Sequence, residues 1–185
     1  VDMMDLDGMK LLRCPTCRAA LTYDGSTRAA WVESGSLLCT GCRSLWPVED
    51  GLCRLYTEEE VQGSDRFMRF LYNRLARLHD PAVRYTLPLF QAGTESELRI
   101  GYLRRMELHR LRPRADSAPI RILDVGCGTC ADLPVLRRLL PPGLSVEIWG
   151  LDLSQRMLDL GRQRVEEAGR CDIRLLMADA HALPF

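Results

Sequence analysis

Two pairs of cysteines have the spacing that lets a turn close on a metal ion. Cys14-Pro15-Thr16-Cys17 and Cys39-Thr40-Gly41-Cys42 are C-x-x-C turns with 21 residues between them. Two residues between cysteines let both thiolates of a turn face one ion, and two such turns supply four sulfurs. That is the closed tetrahedral set of a structural Zn²⁺ site, with no open position for catalysis. Redox dithiols or a disulfide pair are the competing readings; either would need only one turn, or an oxidising compartment. Cys53 and Cys171 have no partner at ligand spacing and read as small buried apolar residues.

A second constellation lies near the other end. Leu123-Asp124-Val125-Gly126-Cys127-Gly128-Thr129 ends a β-branched run in a glycine turn. Glycine there permits positive φ and close approach of main chain to a ligand, and the helix that follows offers free N–H groups. Gly126-x-Gly128-x-x-Ala131 also satisfies the dinucleotide fingerprint, so the glycines alone do not choose between cofactors. Charge does. A carboxylate at Asp124 repels a pyrophosphate but attracts a ligand carrying an ammonium and a sulfonium. Asp152, at a second strand tip, suits ribose hydroxyls, a role common to both cofactor types. Asp179, after a third strand, is placed to accept from an adenine amino group, with the main chain at Ala180 beside the ring edge.

These residues need elements to hold them. Residues 11–56 carry five of the eight cysteines in short strand-like runs such as Ala30–Glu33 and Leu45–Val48, separated by turns, which predicts a small β-rich module. Residues 57–114 lack cysteine. Phe67, Phe70, Leu71, Leu75 and Leu78 recur at helical spacing, and Asp80-Pro81 is expected to stop that helix. Thr94 with Glu97 predicts a capping box, with Leu98, Tyr102 and Met106 along one face and Pro113 as the end. From 119 onward the pattern is strand, helix (about 131–140), strand (146–152), helix (Ser154 cap to about Ala168, Gly169 as stop) and strand (172–177). Short links between such elements predict right-handed crossovers. The expected class is α/β: a Rossmann-like doubly wound parallel sheet, apparently its N-terminal half only, preceded by a zinc ribbon and a helical linker or lid. The expected units are 11–56, 57–114 and 119–185. Half a sheet suggests a portion of a longer protein, a partner chain that completes the sheet, or a homo-oligomer.

Composition sets bounds. Hydrophobic residues are 46% and charged residues 27%, with zero net charge, which argues against a whole-protein polyanion binder. Lys10 is the only lysine. Residues 61–114 nevertheless hold eleven arginines against five acids. A solvated surface is the plain reading and a nucleic-acid surface the sharper one. No stretch is long and apolar enough to span a bilayer, no leader pattern is evident, and the expected compartment is the cytoplasm. His79, His109 and His181 are scattered, without ligand spacing.

Two resemblances add to this reading. Cys14-Pro15-x-Cys17, Leu38-Cys39-x-x-Cys42 and Trp46-Pro47-Val48-Glu49-Asp50-Gly51-Leu52 resemble the Trm112-like zinc-ribbon family, from which Trp46 and Cys53 depart. That resemblance implies a module partnered with or fused to methyltransferases, and an RNA or protein partner reached through the ribbon. Ile122–Thr129, Gly150-Leu151-Asp152-Leu153-Ser154 with Met157, and Ala178-Asp179-Ala180-x-x-Leu183-Pro184-Phe185 resemble the first three motifs of class I S-adenosylmethionine-dependent methyltransferases, nearest the ubiquinone/menaquinone-biosynthesis type. The resemblance implies S-adenosylmethionine held by Asp124, Gly126, Cys127, Gly128, Asp152, Leu153, Met157, Asp179 and Ala180. Residues 70–80 are similar to the family's lid, where Tyr72 would close over the cofactor and Asn73 and His79 replace the usual residues. Cys130 stands where the family usually has glycine: a side chain there could narrow the pocket, a space-filling small residue is the plain reading and a nucleophile near a helix N-terminus the sharper one. The expected reaction is methyl transfer with the catalytic residues unassigned. The motif flavour favours a small-molecule acceptor. RNA or a translation factor, bound by the ribbon and the basic helices, is the alternative, and a non-catalytic partner-binding module is another.

Overall fold

The computed structural model describes residues 4–59, 61, 63–90, 94–169 and 173–185. Cys171 and the side chain of His79 lie outside the described residues. The elements are α1 (Leu6–Met9), β1 (Leu21–Arg28), β2 (Trp31–Cys39), β3 (Leu45–Glu49), β4 (Leu52–Leu55), α2 (Gly63–Phe90) and α3 (Glu95–Arg105). They continue with β5 (Ile120–Val125), α4 (Leu133–Leu139), β6 (Val146–Asp152), α5 (Gln155–Glu167) and β7 (Ile173–Ala178).

All seven strands form one mixed sheet in the order β1-β2-β3-β4-β7-β6-β5. β5, β6 and β7 run parallel, with α4 and α5 as the crossovers. β1 to β4 form an antiparallel meander. The two parts join where β4 pairs in parallel with β7, Cys53 opposite Leu176 and Leu55 opposite Ala178. The cysteine-bearing module therefore extends the parallel sheet directly.

β7 is buried at every position, as a central parallel strand should be. Its residues alternate between two cores. Ile173, Leu175 and Met177 face a core with Leu133, Leu136, Leu158 and Val165 from α4 and α5. Leu176 and Ala178 face the other, with Trp46, Val48, Trp149 and the N-terminal residues Met4, Met9 and Leu12. Asp5 and Arg174 form an ion pair at 2.6 Å that ties the N-terminal segment across β7.

Two helices depart from the sequence reading. α2 does not stop at Asp80-Pro81 but runs through to Phe90. Pro81 removes a main-chain donor; the helix persists where the carboxylate of Asp80 is anchored by Thr129 and Arg164. The apolar set on α2 also faces out: Phe67, Phe70, Leu75 and Leu78 are exposed, while Ala76 is buried. α3 begins as expected, with the Thr94–Glu97 capping box formed in both directions. It ends at Arg105, well before Pro113, because Glu107 takes a left-handed conformation and starts a single 3-10 turn. α4 starts later than expected, after a loop that stays irregular through Cys130 (φ +57°).

Candidate cofactor cleft and cysteine centre

The glycine loop owes its shape to φ. Gly126 and Gly128 have φ of +75° and +51°. A Cβ at Gly126 would meet nothing and one at Gly128 only Met157 at 3.8 Å, so conformation and not crowding calls for glycine. The loop is then fixed from below. Asp152 accepts from the main-chain N–H of Gly128 at 2.9 Å and of Ser154 at 2.8 Å, bracing the first loop against the second strand tip. Ser154 caps α5 by accepting from Met157 N–H. Asp179 accepts from His181 N–H at 2.8 Å and shapes the turn after β7.

These three strand tips open on one cleft of about 440 Å³. Gly126, Cys127, Gly128, Asp152, Leu153, Met157, Asp179 and Ala180 all line it, and Tyr72 lines it from α2. Asp124 is not on the lining but just beneath it. Its Oδ2 is fully buried with no hydrogen-bond partner. Burial pushes its carboxyl up to about 6; Asp132 and Asp152 add to this and Arg99 opposes it. A buried carboxylate with an orphaned oxygen is a costly arrangement unless a cation or donor reaches it.

Cys130 fills space, as its plain reading has it, and does not narrow the pocket. Its side chain is fully buried and does not line the cleft. It points at α5, where a Cβ on Gly161 would lie 2.6 Å from Cys130 Sγ. Gly161 makes room for the thiol, so the cleft is not narrowed by it.

Several lining or supporting residues escape the sequence reading. Arg99 and Tyr102, one turn apart on α3, both hydrogen-bond the carboxylate of Asp132. That engagement takes the side chain of Asp132 away from capping α4. Asn73 accepts from Ser154 Oγ at 2.7 Å, and Arg69 pairs with Glu58. At the cleft rim His181 Nε2 lies 3.3 Å from an oxygen of Asp65 on α2. The i, i+3 and i, i+4 placement of Asp65, Arg69, Tyr72 and Asn73, with Asp80 two turns beyond Asn73, was the available signal: it marks a polar inner face.

The cysteine turns also meet. The Sγ atoms of Cys14, Cys17, Cys39 and Cys42 all lie within 4.8 Å of one another, with Cys14–Cys42 at 3.6 Å and Cys17–Cys39 at 3.3 Å. A zinc tetrahedron with bonds of ~2.3 Å has sulfur–sulfur edges of about 3.8 Å, so the four atoms fit such an ion. Each turn ends in a left-handed residue, Arg18 (φ +66°) and Arg43 (φ +64°). Hydrogen bonds from Ser44 bring the Cys42 thiol down to about 6. Cys53 is buried on β4 as an apolar residue, as expected.

Part of the chain is similar to known proteins. Residues 122–185 match a family described as a methyltransferase domain. The demethylmenaquinone methyltransferase of Bacillus subtilis (strain 168) is 43% identical over 65 residues, which is 35% of this chain and 27% of that protein. That of Thermus thermophilus is 41% identical over 70 residues, covering 38% and 30%. The chain thus spans less than a third of the length of these curated relatives. Among solved structures, Haemonchus contortus phosphoethanolamine N-methyltransferase 2 superposes with a TM-score of 0.38 and 20% identity over 48% of this chain and 18% of that one, too partial an overlap to argue from. The similarity to methyltransferase domains therefore rests on residues 122–185, which contribute all three strand tips of the cleft.

Proposed function

We propose that this chain binds S-adenosylmethionine and takes part in transferring its methyl group to a small-molecule acceptor. The observation that carries the reading is the buried, unpartnered Oδ2 of Asp124, near the end of β5 and just before the Gly126–Gly128 turn. A ligand ammonium in the cleft would offset this buried charge, whereas a pyrophosphate would be repelled. Asp152 would take the ribose hydroxyls and Asp179 the adenine amino group, with Leu153 and Met157 as apolar walls. Tyr72 and the Asp65–His181 contact would shut the rim against water. The bound cofactor supplies an electrophilic methyl group; what these residues contribute is position and exclusion of solvent. The relatives' printed name, demethylmenaquinone methyltransferase, supports a small acceptor.

The RNA reading leaned on the cysteine module and on the arginine excess of residues 61–114. Several of those arginines are paired within the molecule: Arg69 with Glu58, Arg99 with Asp132, Arg110 with Glu107 and Arg114 with Asp116. Less charge is left to meet phosphates. In the same reading Cys14, Cys17, Cys39 and Cys42 hold a structural zinc ion.

Calorimetry decides between cofactors. Titration with S-adenosylmethionine should give one-site binding that Asp152→Ala weakens by at least about tenfold. Binding of NAD with equal or greater affinity, or no binding of either, would overturn the reading.

A further inference from the structure

We propose that the outward face of α2 is a docking surface for an anionic lipid bilayer. The helix is amphipathic with its polarity reversed. Asp65, Arg69, Tyr72, Asn73 and Asp80 turn inward to the cleft and α5. Phe67, Phe70, Leu78 and Tyr85 turn to solvent, 62%, 63%, 62% and 73% exposed. Positions 67, 70, 74, 78, 81 and 85 advance by three or four residues, so they form one continuous stripe along the helix. Apolar side chains gathered in this way on one exposed side of a helix, with Arg74 among them, mark an interaction site.

Charge identifies the occupant. Arg74, Arg77 and Arg84 are exposed along the stripe. The two acids of α2, Asp65 and Asp80, are engaged on the other side with His181 and with Thr129 and Arg164. The outer face is therefore aromatic and cationic with no carboxylate of its own helix. Aromatic rings at headgroup depth and arginines against anionic phosphates are the requirements for a helix lying in a membrane interface. Among the described residues no helix is long and apolar enough to cross a membrane, so the contact lies along the surface. A second copy fits this face less well, because a two-fold contact would set the arginine flank against itself. Docking here leaves the cleft side of α2 untouched.

Vesicle flotation of the 185-residue chain tests the proposal. Vesicles of phosphatidylcholine alone are compared with vesicles containing about one third phosphatidylglycerol. Binding to the anionic vesicles should exceed binding to neutral ones by at least about tenfold and fall steeply with salt. Phe67→Ser with Phe70→Ser, and separately Arg74→Glu with Arg77→Glu, should each reduce it by about tenfold or more while cofactor binding is kept. No flotation, equal flotation with neutral vesicles, or retention by both double variants would overturn the proposal. So would a dimer by light scattering that Phe67→Ser/Phe70→Ser converts to monomer. If the aromatic variant fails to fold, the charge-reversal variant and the salt titration on the unmodified chain still decide the matter.

Discussion

The Thr129 hydroxyl lies 2.9 Å from both carboxylate oxygens of Asp80. The same carboxylate accepts from Arg164 Nη2 at 2.6 Å, and Arg164 also donates to Thr129. Three elements thus converge: α2, the glycine loop and α5. Asp80→Ala should free the loop and leave the guanidinium of Arg164 half-buried without its counter-ion. The expected cost is about 1–3 kcal/mol of stability, with weaker S-adenosylmethionine binding. Thermal melts and calorimetry on the variant check both. Unchanged cofactor affinity would mean that α2 does not brace the loop.

Asp124 should trade stability against binding. Its carboxyl is raised to about 6 in the folded chain, above the ordinary 3.8. A raised acid ionises more readily when unfolded, so the fold loses stability as pH climbs from about 4 to 6. Asp124→Asn removes that loss and should stabilise the ligand-free protein at neutral pH by up to about 3 kcal/mol. The same variant should bind S-adenosylmethionine at least about tenfold more weakly. In the unmodified protein, affinity should decline as pH falls through about 6, where the carboxylate becomes neutral. A flat affinity profile between pH 5 and 8 would remove Asp124 from cofactor binding.

Gly161 and Cys130 should behave as a coupled pair. Gly161→Ala places a methyl 2.6 Å from Cys130 Sγ and should destabilise by about 1–3 kcal/mol. In a Cys130→Ala background the second substitution should be nearly neutral. Chemical denaturation of the four proteins in this cycle measures the coupling, and additivity would refute the packing account.

The cysteine centre should reach the cleft through main-chain contacts. Arg13 N–H donates to the carbonyl of Pro184 at 2.9 Å, and the Arg18 side chain donates to that of Leu183. Both residues flank the first cysteine turn, and Leu183-Pro184 follows the Asp179–His181 turn of the cleft. Removing the proposed zinc with a chelator should lower the melting temperature and also weaken S-adenosylmethionine binding. Elemental analysis of protein purified in reducing buffer should give about one zinc per chain. Metal-free protein with full affinity would sever the link.

What the sequence made legible is local. Strand-tip aspartates and turn glycines report their own backbone, and C-x-x-C spacing reports a metal turn, so the strand-tip part of the cleft lining and the meeting of the four sulfurs were legible, while Asp65, Arg69, Arg99 and Asp132 on the lining were not. The pairing of β4 with β7 was not, because nothing in Leu52–Leu55 names a partner so far along the chain. The inner face of α2 misled for another reason. Periodicity marks an apolar stripe as the buried one, but here the hydrogen bonds that Asn73 and Asp80 accept from Ser154 and Thr129 decide which side docks. The direction of the Cys130 side chain depended on a left-handed φ and on a gap at Gly161, neither visible in residue spacing.

The order of strands has one more consequence. β1, at one end of the sheet, is broken in register between Gly25 and Thr27 and is polar through Thr22, Asp24 and Ser26, which discourages further pairing. β5, at the other end, has no partner on its outer side among the described strands and carries Leu123 and Val125 exposed. The sheet is therefore polar in the crystallographer's sense: blunt at the cysteine end, receptive at the glycine-loop end. Any strand added to it joins beside the very residues that lead into the cofactor turn.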